Sequence, residues 1–152
     1  MLNRRGLLIA FAATGASLTT GCTTIARPAQ FSSNRLSVVV TGSGPDVVLI
    51  PGLATSRDVW KGTVAAVPGY RYHLVQIAGF AGTSPLGNAA PGPLLEQVAG
   101  EISRYIVDQR LVRPAIVGHS LGGLLALMTA ARLRSAVSKA MIVDMVKTPR
   151  GC

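Results

Sequence analysis

A chain of 152 residues that is 49% hydrophobic and 14% charged can bury the core of one modest domain and is too apolar to be disordered. Its net charge of +9 at pH 7 is spread along the sequence, with no dense basic run interleaved with aromatics. That pattern fits a solvated basic surface and argues against nucleic-acid binding. The two cysteines, Cys22 and Cys152, sit at opposite ends and form neither a disulfide framework nor a metal site; no metal or cofactor is expected.

Residues 1–21 read as an export signal. Asn3-Arg4-Arg5 is a charged start, and the apolar stretch beginning at Leu7 is too short to span a bilayer comfortably before small residues take over. Leu18-Thr19-Thr20-Gly21-Cys22 resembles a bacterial lipobox, although Thr19 stands where leucine is usual. The resemblance implies that Cys22 becomes the lipidated first residue of the mature chain, held to a membrane surface without spanning it. Arg4-Arg5-Gly6-Leu7-Leu8 loosely resembles a twin-arginine signal, and the general secretory route is equally open. The expected location is the cell envelope, as a lipoprotein at the periplasmic face or as a periplasmic protein. Residues 22–34 read as a tether, and residues 35–152 as the domain.

Within the domain, residues 35–41 form a β-branched run that reads as a strand, closed by the turn Gly42-Ser43-Gly44-Pro45-Asp46. Val47-Val48-Leu49-Ile50 is continuously apolar, as a strand buried on both faces should be. Ser56 reads as the N-cap of a helix over 57–67. A strand over 70–77 leads into a loop, 78–91, too rich in Gly and Pro to be regular. Leu95, Val98, Ile102, Tyr105 and Ile106 then make the apolar stripe of a helix ending near Gln109. A short strand over 113–117 runs into a helix over 121–133 that is apolar nearly all round and is expected to be buried. Residues 136–143 read as the last strand, with Asp144 at its end. Alternating strands and helices predict an α/β fold: a mostly parallel sheet with helices on both faces. Ligands in such sheets bind outside the carboxyl ends of the strands, where Gly52-Leu53, Gly79-Phe80, Ser120 and Asp144 all fall.

The stretch Gly118-His119-Ser120-Leu121-Gly122 is a G-x-S-x-G pattern between a strand and a helix. The two glycines remove side chains that would collide with the neighbouring strand and helix. The turn then holds the Ser120 hydroxyl clear of the backbone, and the helix start offers N–H groups to a developing oxyanion. A plain Gly-rich turn whose serine caps the helix would show the same residues.

On these residues the chain resembles the N-terminal portion of an α/β-hydrolase of the esterase and lipase group. Residues 47–53 resemble the strand and oxyanion loop, with Pro51-Gly52 where relatives often carry His-Gly. Gln76-Ile77-Ala78-Gly79-Phe80-Ala81-Gly82-Thr83-Ser84 resembles an Asp-x-x-Gly-x-Gly-x-Ser segment, departing at Gln76 and Ala81. The resemblance covers about residues 35–144. It implies acyl transfer from a small-molecule ester to water, with Ser120 as nucleophile and the N–H groups of Leu53 and Leu121 as the oxyanion hole. Asp144 is either the triad acid or a turn residue at a strand end.

A serine needs a base, and in this fold the order is Ser, acid, His. No histidine follows Ser120. His119 lies beside Ser120 and is expected to pack near the oxyanion loop, and His73 is expected near the opposite edge of the sheet. The domain therefore reads as partial, truncated after the strand that follows the elbow, with its catalytic histidine missing. The rival readings are a non-catalytic exported lipoprotein binding a partner or small molecule through the strand-end pocket, and a cofactor-free relative that cleaves carbon–carbon bonds or halogenates.

Overall fold

A computed structural model describes residues 30–145. The segment read as an export signal, Cys22, most of the tether and Cys152 lie outside the described residues. Five strands form one sheet in the order β1-β3-β2-β4-β5: β1 Leu36–Gly42, β2 Asp46–Ile50, β3 Arg71–Ile77, β4 Ala115–His119 and β5 Lys139–Val143. Only β1, at one edge, runs antiparallel to its neighbour; β2 to β5 are mutually parallel. The expected mostly parallel α/β sheet is what forms.

Every residue of β2 is buried, because successive side chains point to opposite faces and both faces are covered. On one face Val48, Ile50, Val75, Ile77 and Ile116 pack against α2 (Leu94–Asp108) and α3 (Leu121–Arg132). On the other, Val47, Leu49, Tyr72 and Leu74 pack against Trp60 and Val64, from a 3-10 turn (Arg57–Trp60) and the short helix α1 (Lys61–Ala66) that follows it. Ser56 does cap this segment: its Oγ accepts from the Asp58 N–H at 3.1 Å.

Three local expectations need correction. The helix over 57–67 is split into a 3-10 turn and α1. The strand expected from residue 136 starts at Lys139, because the N–H groups of Ala136 and Val137 both bond back to Leu133 O and hold this stretch as a turn. Val137 reaches the core from that turn. Helix α3 is not buried all round: it lays Gly122, Gly123, Leu125, Ala126 and Thr129 inward, while Leu124 and Leu127 are 36% and 40% exposed. A helix on a sheet buries a stripe, and an apolar outer side does not by itself recruit a cover.

The starts of β2 and β3 hold a buried polar group that the strand pattern does not reveal. Arg71 Nε and Nη2 donate to the Asp46 carboxylate at 2.6 and 3.0 Å. His73 Nε2 lies 2.9 Å from the same carboxylate, and its Nδ1 lies 2.6 Å from the Tyr105 hydroxyl. These partners assign a neutral imidazole that donates from Nε2 to Asp46 and accepts from Tyr105 at Nδ1. Tyr105 belongs to α2, so the group ties that helix to the sheet. Burial pushes the His73 pKa down, more than the Asp46 carboxylate raises it. Burial also pushes Tyr105 up to about 12. For Asp46, burial alone would raise the carboxyl, but the bonds from Arg71 and His73 hold it below its ordinary value.

The sign follows directly. The unfolded chain binds a proton at an ordinary imidazole pKa of about 6.5, while the folded chain resists it, so stability falls as pH drops below that value. Asp46 adds a further loss at lower pH, because the unfolded chain takes up a proton on this carboxyl while the folded chain still resists it; the loss is complete once pH has fallen through the folded value. The urea midpoint of the chain should fall between about pH 7.5 and pH 5.5, the window set by the imidazole, and His73→Asn should remove most of that slope. An identical slope in the variant would place the acid sensitivity elsewhere.

Candidate active site

Because β2 to β5 are parallel, their carboxyl ends share one edge of the sheet. Pro51-Gly52-Leu53 leaves β2 there, Ala78-Gly79-Phe80 leaves β3, Ser120 leaves β4 and Asp144 leaves β5. The topology thus gathers residues separated by up to most of the domain's length along a single edge of the sheet, where ligands of such sheets bind.

Ser120 has φ 50° and ψ −117°, a left-handed conformation rare for a residue with a side chain. It is the N-cap of α3 but makes no side-chain capping bond. Its hydroxyl is therefore not spent on the helix, as a plain capping serine's would be. Close packing maintains the turn. A Cβ on Gly118 would lie 2.0 Å from Gly122 O, and one on Gly122 would lie 2.4 Å from Ile50 O and 2.5 Å from Pro51 O. Gly123 matters as well, since a Cβ there would meet Ile142 Cγ2 at 2.6 Å. The first turn of α3 is thus pressed onto β4, β2 and β5 at once.

The backbone continues the pattern. The Ser120 N–H donates to Val143 O at 2.8 Å, and Gly123 N–H donates to Ser120 O at 2.8 Å. The first bond sets the serine beside the end of β5, immediately before Asp144, which is exposed and has φ 53°. Leu121 is the first residue of α3, where N–H groups have no partner within the helix. No acidic side chain occupies the first turn, so the positive end of the helix dipole is left to an incoming anion. Leu53 follows Gly52 on the neighbouring loop and is 63% exposed.

The histidines separate cleanly. His119 turns its ring toward the β2 loop: a Cβ on Gly52 would lie 2.8 Å from His119 Nδ1, and that nitrogen is buried with no hydrogen-bond partner in the structure. His73 sits at the far edge, committed to Asp46 and Tyr105. Neither is placed to take a proton from Ser120 among the described residues. Gln76, one of the departures from the family pattern, has a local task instead. Its Oε1 accepts from the Arg57 N–H at 2.9 Å, and its Nε2 donates to Ile77 O and Phe80 O, both at 3.3 Å. It stitches the end of β3 to the start of the 3-10 turn. The motif gave no sign of this, because Gln76 is buried and two of its three partners, Arg57 N–H and Phe80 O, lie outside β3. No group of three or more potential metal ligands occurs among the described residues.

Comparison with known proteins adds to this geometry. Residues 45–149 match the family model of the alpha/beta hydrolase fold. A pimeloyl-[acyl-carrier protein] methyl ester esterase of Aeromonas hydrophila subsp. hydrophila is 38% identical over 110 residues, covering 69% of this chain and 41% of the relative. One of the same name from Vibrio vulnificus is 33% identical, covering 72% of this chain and 39% of the relative. Among solved structures, an esterase from Exiguobacterium antarcticum superposes with a TM-score of 0.59 at 26% identity, over 70% of this chain and 40% of that one. The chain thus spans about two-fifths of the length of the curated relatives it matches.

The close approaches make Gly118 and Gly122 sensitive positions. Gly118→Ala should cost about 3 kcal/mol or more, since backbone faces the new methyl group and cannot step aside as a side chain could. Ser120→Gly should instead raise stability by about 1 kcal/mol, because relief of the backbone conformation outweighs the entropy of an added glycine. Urea unfolding of both variants at neutral pH reads the two signs directly.

Proposed function

The chain belongs to the α/β hydrolase fold family, and we propose that it carries the nucleophile half of a serine hydrolase acting on a carboxylic ester. The observation that carries the reading is the backbone of Ser120 at φ 50°, with its side chain uncommitted at the positive end of α3. The relatives' names, methyl ester esterases of an acyl group, favour a carboxylic ester as the substrate class.

In this reading Ser120 Oγ attacks the ester carbonyl carbon and loses its proton to a base. The N–H groups of Leu53 and Leu121 hold the oxyanion as the tetrahedral centre forms. The alcohol leaves with the proton returned by the base, and water then releases the acid from the serine. Asp144, beside the serine through the Val143 contact, is the candidate to orient the base. Neither His73 nor His119, the two histidines of the sequence, serves as the base, so the reading requires a histidine from outside these 152 residues. The reading also includes export through residues 1–21 and a lipid anchor on Cys22, supported by the order of charged, apolar and small residues there.

The 152-residue chain should show no turnover of a short-chain p-nitrophenyl ester that depends on Ser120. Reading the source DNA beyond codon 152, in all three frames, tests whether a histidine-bearing continuation exists. If a histidine-bearing continuation exists, the extended protein should hydrolyse the ester, and Ser120→Ala should lower kcat by about a thousandfold or more. Turnover by the 152-residue chain that Ser120→Ala abolishes would refute the assignment of the base. Turnover by the extended protein that survives Ser120→Ala would refute the nucleophile.

A further inference from the structure

The cations that look scattered in the sequence are not scattered in space. Helices α2 and α3 both end at the edge of the sheet opposite Ser120; the connections that follow carry Arg110, Arg113 and Arg134, and Lys139 opens β5. All four are exposed. The two connections are neighbours: Ser138 N–H donates to Pro114 O at 3.0 Å, and Ala115 pairs with Lys139 across β4 and β5. The acidic residues nearby are already engaged. Asp46 is buried beneath Arg71 and His73, and Asp108 is held by Arg104 at 2.9 Å. Among the described residues, none of the four cations has an ion-pair partner. Between Arg110 and Arg113, Val112 is 80% exposed, the most exposed large apolar side chain described.

The described chain begins at this same edge. Phe31 packs on Tyr105 at 4.9 Å, Arg104 donates to Ser32 O at 2.8 Å, and Gln30 shares a cavity with Gln109, the residue that ends α2. From Phe31 the chain climbs to Leu36, which pairs with Ile77 at the other edge. Gln30, the first described residue, therefore lies beside the basic connections, with residues 1–29 upstream of it in the sequence. Those residues include Arg4, Arg5 and the apolar stretch from Leu7. Even fully extended, the tether from Cys22 to Gln30 reaches on the order of 25 Å.

From this juxtaposition we infer that the edge formed by Arg110, Val112, Arg113, Arg134 and Lys139 rests on the anionic headgroups of a lipid bilayer. The four cations face the phosphates, and Val112 enters the headgroup layer between its flanking arginines, as apolar residues do at membrane interfaces. The edge bearing Ser120 then points away from the bilayer, open to substrate from the aqueous side. An apolar tip among cations suits a bilayer better than a nucleic acid, which would call for aromatic planes on which bases stack. The inference concerns orientation. It depends on neither the catalytic reading nor acylation of Cys22.

The test uses the full chain with Cys22→Ser, so that no acyl group contributes. Its partition is measured onto vesicles of about one-third phosphatidylglycerol in phosphatidylcholine and onto pure phosphatidylcholine, at physiological salt. The ratio of the two isolates the electrostatic part, because the apolar amino-terminal segment contributes to both. A basic residue near an anionic surface is worth roughly fivefold. Arg113→Gln should lower the ratio by about that factor, whereas Lys61→Gln, an exposed cation on α1 away from this edge, should leave it unchanged. Replacing all four edge cations with Gln should lower it about a hundredfold or more. Equal losses from Arg113→Gln and Lys61→Gln would reduce the effect to net charge and overturn the inference. So would a four-cation variant that keeps its vesicle ratio, including one that loses affinity for duplex DNA alone.

A second readout reports orientation without depending on these variants. An environment-sensitive fluorophore is placed on Val112→Cys or Leu86→Cys, each in a chain lacking the two native cysteines. Leu86 is 60% exposed and follows the carboxyl end of β3. The emission at 112 should shift to the blue on anionic vesicles, and that at 86 should not. A shift at 86 without one at 112 would reverse the orientation and overturn the inference.

Discussion

The arrangement of the strand-end edge depends on how closely helix α3 approaches the sheet. Gly118 and Gly122 O leave no space for a methyl group between them, and Gly122 rests on the carbonyls of Ile50 and Pro51. An ordinary strand-to-helix connection has room to relax, whereas here the backbone is pinned on three strands within one turn of helix. With β4, β2 and β5 all in contact, Ser120 has no alternative to its left-handed conformation. The unfavourable backbone angles are sustained by packing around them, which is how strain at a single residue persists in a marginally stable fold. The bond from Ser120 N–H to Val143 O then fixes the serine against β5, so that Asp144 inherits its place from the same constraint.

The two edges of the sheet have opposite characters for a common reason. Parallel strands with crossover helices point every helix amino end toward one edge and every helix carboxyl end toward the other. The edge with Ser120 gains partial positive charge from backbone N–H groups and has few ionic side chains on the described loops. The opposite edge meets the negative ends of α2 and α3, where cations such as Arg110 and Arg134 are favoured. That edge also buries Asp46, His73 and Tyr105 under the half-exposed Arg71, and their hydrogen bonds satisfy polar atoms that the apolar strands could not. An imidazole so engaged is unavailable for proton transfer elsewhere, which is why histidine content is a poor guide to the base in this chain.

Much of the architecture was legible from local pattern. The continuous apolar run of β2 announces burial on both faces, and the stripe Val98, Ile102, Tyr105 and Ile106 announces a helix lying on the sheet. Ser56 announces a cap, and the cap forms. What was not legible lay between elements. Gln76 looked like a departure from a motif until its side chain was seen bonding to Arg57 N–H, nineteen residues away. Val137 looked like a strand residue because β-branched side chains favour strands, yet two bonds to Leu133 O hold it in a turn. The exposed Leu124 and Leu127 show the same limit, since hydrophobicity states what could be buried and not which neighbour is present to bury it.

The sequence by itself determined the fold class, the position of the Gly-His-Ser-Leu-Gly turn, and the edge of the sheet on which Ser120 and Asp144 lie. Those are consequences of periodicity, glycine placement and the chirality of parallel connections, all of which act over a few residues or follow general rules. Only the tertiary structure decided that His73 is locked to Asp46 and Tyr105, that His119 faces Gly52, and that four dispersed cations share one edge. These facts depend on which side chains meet across elements distant in the chain. Such meetings are set by the summed packing of the sheet, which no short stretch of sequence encodes.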